Sequence, residues 1–148
     1  MERLFELRWR VLRAPWGQPR GSERDDQEAT AWHRVAVTGE GEFVAAARLQ
    51  REPQPATGRI RYMAVAEKWR RRGIGSRLLA ALEALALEEG MERITLLARD
   101  PFLDFYLCRG YIPVGPGPLL FDIIPHTRME KRLVREGTGA GGGPPATL

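Results

Sequence analysis

Residues 69–79, WRRRGIGSRLL, set three consecutive arginines before two glycines and then run directly into an apolar helical pattern. An α-helix leaves its first four backbone N–H groups without partners inside the helix, and a Ser, Thr, Asp or Asn side chain usually accepts from them. Gly73, Ile74 and Gly75 carry no such acceptor. Glycines let a backbone approach a ligand closely, and the helix dipole favours negative charge at this end. Arg70, Arg71 and Arg72 add positive charge beside it, so the turn suits an external anion such as a pyrophosphate. A solvated basic corner, with Ser76 or water satisfying the helix end, is the alternative that the short motif leaves open. The stretch is not a Walker A loop, because it lacks the Gly-Lys-Ser/Thr ending, and it lacks the third glycine of a dinucleotide fingerprint.

The surrounding chain supplies the setting. After Gly75, Leu78, Leu79, Leu82, Leu85 and Ala86 recur at helical spacing, with Gly90 as a stop. Before the turn, RIRYMAV (59–65) reads as a strand with Ile60, Tyr62 and Ala64 on one face. Further upstream, 33–50 holds two Val- and Ala-rich runs around TGEGE, the pattern of a β-hairpin. Residues 2–13 read as an amphipathic helix, and 22–32 as a loop or short helix with Ser22 as a candidate cap. Downstream, RITLLAR (93–99) is a buried strand, PFLDFYLCRG (101–110) a short helix, and YIPVG (111–115) and PHTRMEKRL (125–133) are strands. Strands, helix, strand, helix and strands in that order imply an α/β or α+β domain with helices packed on a mixed sheet. The last residues, EGTGAGGGPPATL (136–148), are too poor in apolar side chains to offset ordering and read as a disordered tail.

A chain of 148 residues with 43% hydrophobic content is long enough for one domain with a core. No stretch approaches the roughly 18–20 apolar residues needed to span a bilayer, and the charged N-terminus MERLFELRWRVLR has no signal-peptide core. A cytoplasmic protein is the expectation. The single cysteine, Cys108, excludes an internal disulfide and a cysteine-rich metal site, and no metal is expected. A net charge of +4 favours anionic partners in general. Nucleic acid is disfavoured, because neither stacking aromatic runs nor a recognition-helix pattern is present.

Arg70, Gly73 and Gly75, set between a strand and a long helix, resemble the acetyl-CoA loop of the GNAT superfamily of N-acetyltransferases, Gln/Arg-x-x-Gly-x-Gly/Ala. About 30 residues on, DFYLCRGY (104–111) is similar to the family's Phe-Tyr-x-x-x-Gly-Phe segment and places Phe105, Tyr106, Gly110 and Tyr111. IPHTRME (124–130), the IPV after Tyr111, and His33 at the start of the hairpin resemble the ElaA-like branch of acetyltransferases. The resemblance covers roughly residues 5–133. It implies a single domain over residues 1–135, with a mixed central sheet, a splayed strand pair and helices on both faces. It also implies acetyl-CoA as cosubstrate, held by Arg70, Arg71, Arg72, Gly73, Ile74, Gly75 and Ser76. The strand YMAV would splay from its neighbour, so that the backbone of Met63 and Val65, flanking Ala64, pairs with the pantetheine arm. The implied reaction is direct acetyl transfer to a primary amine of a small molecule or protein. A coenzyme-binding sensor with little turnover is the rival reading, no membrane partner is expected, and a homodimer stays open.

Such a transfer needs a neutral amine, a polarised carbonyl and a proton for the departing thiolate. The resemblance places Tyr106 as general acid, with an aromatic anchor as its plainer role, and a backbone N–H at Met63 or Val65 as the polarising group. The carboxylate that many relatives carry on the splayed strand is missing from RIRYMAV. His126, whose ordinary pKa near 6.5 suits a base, is the candidate, with His33, Glu28 or a water chain as alternatives. Arg99 stands where relatives often carry an amide that contacts pantetheine. With Arg61 it could hold a substrate anion, or it could pair with Asp100 or Asp104. Cys108 reads as a small core residue.

Overall fold

The structure, a computed structural model, describes residues 1–134, so the glycine-rich segment 136–148 lies outside the described residues. The elements run α1 Glu2–Leu12, β1 Trp32–Val37, β2 Phe43–Arg51, β3 Thr57–Val65, α2 Ile74–Glu88, β4 Arg93–Arg99, α3 Leu103–Leu107, β5 Ile112–Pro116 and β6 His126–Arg132. Six strands form one mixed sheet in the order β1-β2-β3-β4-β6-β5. Strand β3 runs parallel to β4, from Thr57 opposite Arg93 to Arg59 opposite Thr95, whereas β1–β2, β4–β6 and β5–β6 are antiparallel. This is the α/β class read from the sequence. The 22–32 stretch forms turns, and Ser22 Oγ donates to the Pro19 carbonyl instead of capping a helix. The described residues pack as two compact units, 1–50 with 60–85, and 51–59 with 86–134.

In the first unit, α1 buries Leu4, Phe5, Leu7 and Arg8, which share one face at i, i+1, i+3 and i+4 spacing. Leu4, Phe5 and Leu7 pack with Ala46 of β2, flanked by Val11, Val35, Phe43 and Ala66. All seven residues from Val44 to Gln50 are buried, so both faces of β2 are covered. Alternation puts Arg48 and Gln50 on the Ala46 face, under α1. The β1–β2 turn is closed by Thr38, whose amide donates to the Glu42 carbonyl (2.9 Å) and whose Oγ1 accepts from the Glu42 amide (3.0 Å).

In the second unit, β4 alternates buried Ile94, Leu96 and Ala98 with more accessible residues, and Leu96 faces the fully buried Met129 of β6. Helix α2 ends as the sequence indicates: the Met91 amide reaches back to the Ala86 carbonyl (2.9 Å) and the Gly90 amide to that of Leu87 (3.1 Å). The end of α3 repeats the pattern. Tyr111 bonds the Tyr106 carbonyl (3.1 Å) and Gly110 that of Leu107 (3.2 Å), which folds Tyr111 back against Tyr106 with ring centroids 5.7 Å apart, edge to face. Gly110 sits at φ +93°, and a Cβ there would lie 3.2 Å from Lys131 Cε. Gly110→Ala is therefore expected to cost about 1 kcal/mol or more in urea denaturation. An unchanged midpoint would show that this turn does not need a left-handed residue.

Candidate active site

Strand β3 leads through Ala66 into a short 3-10 turn, Glu67–Trp69, and then into the basic turn before α2. Two residues of that turn have positive φ, Arg71 (+62°) and Gly73 (+80°). The Arg77 amide donates to the Gly73 carbonyl (3.1 Å), so Gly73 holds the cap position of α2 with no side chain to offer. The leading N–H groups of the helix then belong to Ile74, Gly75 and Ser76. A Cβ at Gly73 would meet nothing within 4 Å, so the space before the helix end is open. Arg70, Arg71 and Arg72 are exposed around it, with Arg72 stacked on the Trp69 ring at 4.6 Å. These features fit a pyrophosphate.

Arg70 also makes a bond within the protein. Its Nε donates to the Val65 carbonyl at 3.0 Å, so that oxygen is engaged by the protein itself. Tyr62 adds a feature that strand periodicity misses: its φ of +58° interrupts β3 immediately before Met63 and Ala64.

In the second unit, Tyr106 lies on α3 and is buried, held between the edges of Phe105 (5.0 Å) and Tyr111 (5.7 Å). Burial pushes its phenol up to about 12, against the opposing pull of Arg109. The hydroxyl therefore keeps its proton at neutral pH, as a general acid must. His126 opens β6 directly opposite Arg99, the last residue of β4. Its Nδ1 faces the Ile124 carbonyl at 3.1 Å, which requires the proton on Nδ1 and leaves Nε2 as a lone pair. Burial lowers its pKa, helped by the Arg99 charge and opposed by the Ile124 bond and Asp100, so the ring is neutral at pH 7. The Arg99 guanidinium lies over the Phe102 ring at 5.5 Å. Cys108 is exposed, contrary to the core role read from the sequence, because it caps a helix of five residues rather than lying on its inner face.

A third group of charges gathers around Tyr62. Arg8 and Arg48 are fully buried, and Arg48 grips Asp25 through two bonds, Nη1–Oδ1 at 2.7 Å and Nη2–Oδ2 at 2.9 Å. Glu28 Oε2 takes Arg8 Nη1 (2.8 Å), Arg48 Nη1 (3.1 Å) and the Asp25 amide (3.1 Å). The paired Arg48 bonds hold the Asp25 carboxyl far below the usual carboxylate range, against its partial burial. Burial works against the Arg48 charge, and Asp25 and Glu28 overcome it, raising the guanidinium above its ordinary value. His33 joins through Nε2, which donates to the Glu28 carbonyl (3.0 Å) and lies 3.7 Å from its Oε1. His33 is thus tied to the loop.

A family model described as the acetyltransferase (GNAT) family matches residues 1–111. The chain belongs to this family. It is an acetyl-CoA-dependent acetyltransferase, and several solved structures share its fold. A protein of Lactobacillus plantarum assigned as an N-acetyltransferase superposes with a TM-score of 0.79 at 22% identity, covering 90% of each chain. An aminoglycoside 6'-N-acetyltransferase solved with coenzyme A gives 0.76 at 18% identity over 92% of each chain. Escherichia coli ElaA, whose branch the sequence resembles, gives 0.74 at 22% identity over 88% of each chain.

Of the Tyr62 group of this GNAT acetyltransferase, the sequence offered Glu28 as an alternative base and Arg61 as an anion-holding residue, but not their gathering with Arg8, Arg48 and Asp25. Arg8 at an apolar-face position of α1, one turn after Leu4, was the available signal. Asp25→Asn removes the anion that grips the fully buried Arg48 guanidinium through two bonds, leaving Glu28 alone beside it, and is expected to destabilise the fold by about 3 kcal/mol. A shift below about 0.5 kcal/mol in chemical denaturation would show that Arg48 does not depend on it. The depressed Asp25 pKa contributes stability that is complete above its unfolded value near 3.9 and is lost as pH falls through the folded one.

Proposed function

We propose that this acetyltransferase passes the acetyl group directly to a primary amine of a small molecule or protein, with both substrates bound at once. The observation that carries the reading is the open glycine turn at the start of α2, flanked by three exposed arginines. When bound, acetyl-CoA supplies an activated acetyl thioester. Ile74, Gly75 and Ser76 direct their N–H groups at its pyrophosphate, and Arg70, Arg71 and Arg72 neutralise the phosphate charge. The amides of Met63 and Val65, flanking Ala64, pair with the pantetheine arm, one of them polarising the thioester carbonyl. Arg99, at the end of β4, contacts the same arm.

Tyr106 delivers the hydroxyl proton to the departing sulfur, and His126 Nε2 takes the proton from the acceptor ammonium. Their opposed pKa shifts support this division, since one group stays protonated and the other unprotonated at neutral pH. Residues 1–135 form the acting domain in this reading, and the protein works in the cytoplasm. No described helix is long and apolar enough to cross a membrane.

Tyr106→Phe removes one oxygen and keeps the ring that packs against Phe105 and Tyr111. The single-turnover rate is expected to fall roughly 100-fold with little change in coenzyme affinity. A wild-type rate with reduced stability would make the tyrosine an anchor only. For His126 the active form is neutral and the folded pKa lies below 6.5, so the acid limb of kcat/KM falls below pH 6.5. His126→Gln should abolish that limb. A limb that survives the substitution would assign the base elsewhere.

A further inference from the structure

Ile124, Pro125 and His126 open the IPHTRME motif, and the surrounding hairpin ties them to a single imidazole. The Ile124 carbonyl accepts twice, from His126 Nδ1 at 3.1 Å and from the Leu120 amide at 2.9 Å. The Ile124 amide returns to the Leu120 carbonyl at 2.9 Å, and the Ile124 side chain is buried. With both lone pairs used and its own residue anchored, that oxygen is a stationary acceptor. Pro125 is the one residue between the acceptor and the ring. Its locked φ, and the bias toward extended geometry that it imposes on Ile124, leave the carbonyl-to-imidazole step few other shapes.

The chain reaches Ile124 through Phe121 (φ +53°) and Asp122 (φ +61°), with the Ile123 amide bonded to the Leu120 carbonyl at 3.1 Å. Hairpin tips with two left-handed residues favour Asn-Gly, and a bulky aromatic there is strained. Strain of this kind persists where the surrounding structure over-determines the path, as the Ile124 anchor does here.

The edge strand holds the other side of His126. The Gly117 amide donates to the His126 carbonyl at 2.9 Å. Cross-strand partners share a face of the sheet, so His126 lies beside Arg99 and one row from Leu97 and Arg128. Leu97 leans into the place where a side chain at 117 would start. A Cβ there would stand 2.7 Å from Leu97 Cδ2, 3.4 Å from His126 Cβ and 3.5 Å from the His126 carbonyl oxygen. Gly117 is outside the left-handed region, so the requirement is for space and not for a dihedral.

We propose that Gly117 and Pro125 are positioning residues for His126, which together hold its imidazole as the Nδ1–H tautomer with Nε2 turned to the acceptor amine. This rests on the reading of His126 as the base. Gly117 seats the His126 backbone against β5, and Pro125 seats the ring against the Ile124 carbonyl. The charges that act on the ring, Arg99 at the end of β4 and Asp100 after it, stay in place in every variant below.

Nitrogen-15 spectra of the imidazoles in the full chain test this without an acceptor, at a mildly alkaline pH where the rings are neutral. His126→Gln identifies the His126 signals by their loss. Wild type should show two well-separated nitrogens, the mark of one tautomer, with Nδ1 carrying the proton. Gly117→Ala should draw the two signals together. Gly117→Ala combined with Leu97→Ala, which removes the methyl that the new Cβ meets, should separate them again, and Leu97→Ala alone should leave them as in wild type. Pro125→Ala should draw them together with Leu97 intact. Dispersed amide signals from β4 and β6 confirm folding in each case. A reduced urea midpoint with unchanged His126 nitrogens in Gly117→Ala or Pro125→Ala would overturn the role given to that residue. Averaged signals in wild type, or a double variant that stays averaged, would overturn the proposal as well. Tautomer changes that follow Gly117 and Pro125, found with an acid limb of kcat/KM that survives His126→Gln, would uphold the seat and remove His126 as the base.

Discussion

Gly73 occupies the cap of α2 and has no side chain, and the arrangement around it follows from that lack. A capping Ser or Asp would satisfy the helix end from within and place atoms where an incoming phosphate must lie. The glycine leaves that space empty, and its positive φ gives the turn the shape that brings a strand end and a helix start together. Three arginines beside an uncapped, partially positive helix terminus repel one another and the dipole. That disposition becomes favourable once an anion is bound, so the turn is organised for its ligand more than for the free protein. Arg70 reduces the cost by bonding the Val65 carbonyl, which links the coenzyme loop to the strand that carries the polarising amides.

The second organising constraint is the burial of Arg8 and Arg48 under α1. Removing a charge from water costs several kcal/mol even after relaxation, and a pair recovers this only with good geometry and further hydrogen bonds. The paired Arg48–Asp25 contact and the shared Glu28 provide that geometry. An apolar core at the same place would be as stable, so the charges are better understood by what they position. They bind the otherwise irregular 22–31 loop to β1 and β2, and they enclose Tyr62 at the point where β3 leaves regular strand geometry.

The elements legible in the sequence are those specified locally. The leucines after Gly75 leave one period open, TGEGE allows one kind of connection, and Gly90 closes α2 where the structure does. The coenzyme turn was legible for the same reason, since a missing cap and a run of arginines are adjacent in the chain. What could not be read depends on distant partners. Arg8 is indistinguishable from a surface arginine until Glu28 and Arg48 are known to meet it. Tyr62 fits a two-residue alternation that only its dihedral reveals as broken. Cys108 reads as a core residue because the sequence does not show that α3 stops at Leu107.

The central claim is that the first turn of α2 receives the coenzyme phosphates through its own amides. Hydrogen exchange of individual amides, with and without saturating acetyl-CoA, tests this most directly. The account predicts marked slowing at Ile74, Gly75 and Ser76, with a second protected group at Met63 and Val65. Coenzyme binding that leaves exchange at residues 74–76 unchanged while protecting amides elsewhere would contradict it.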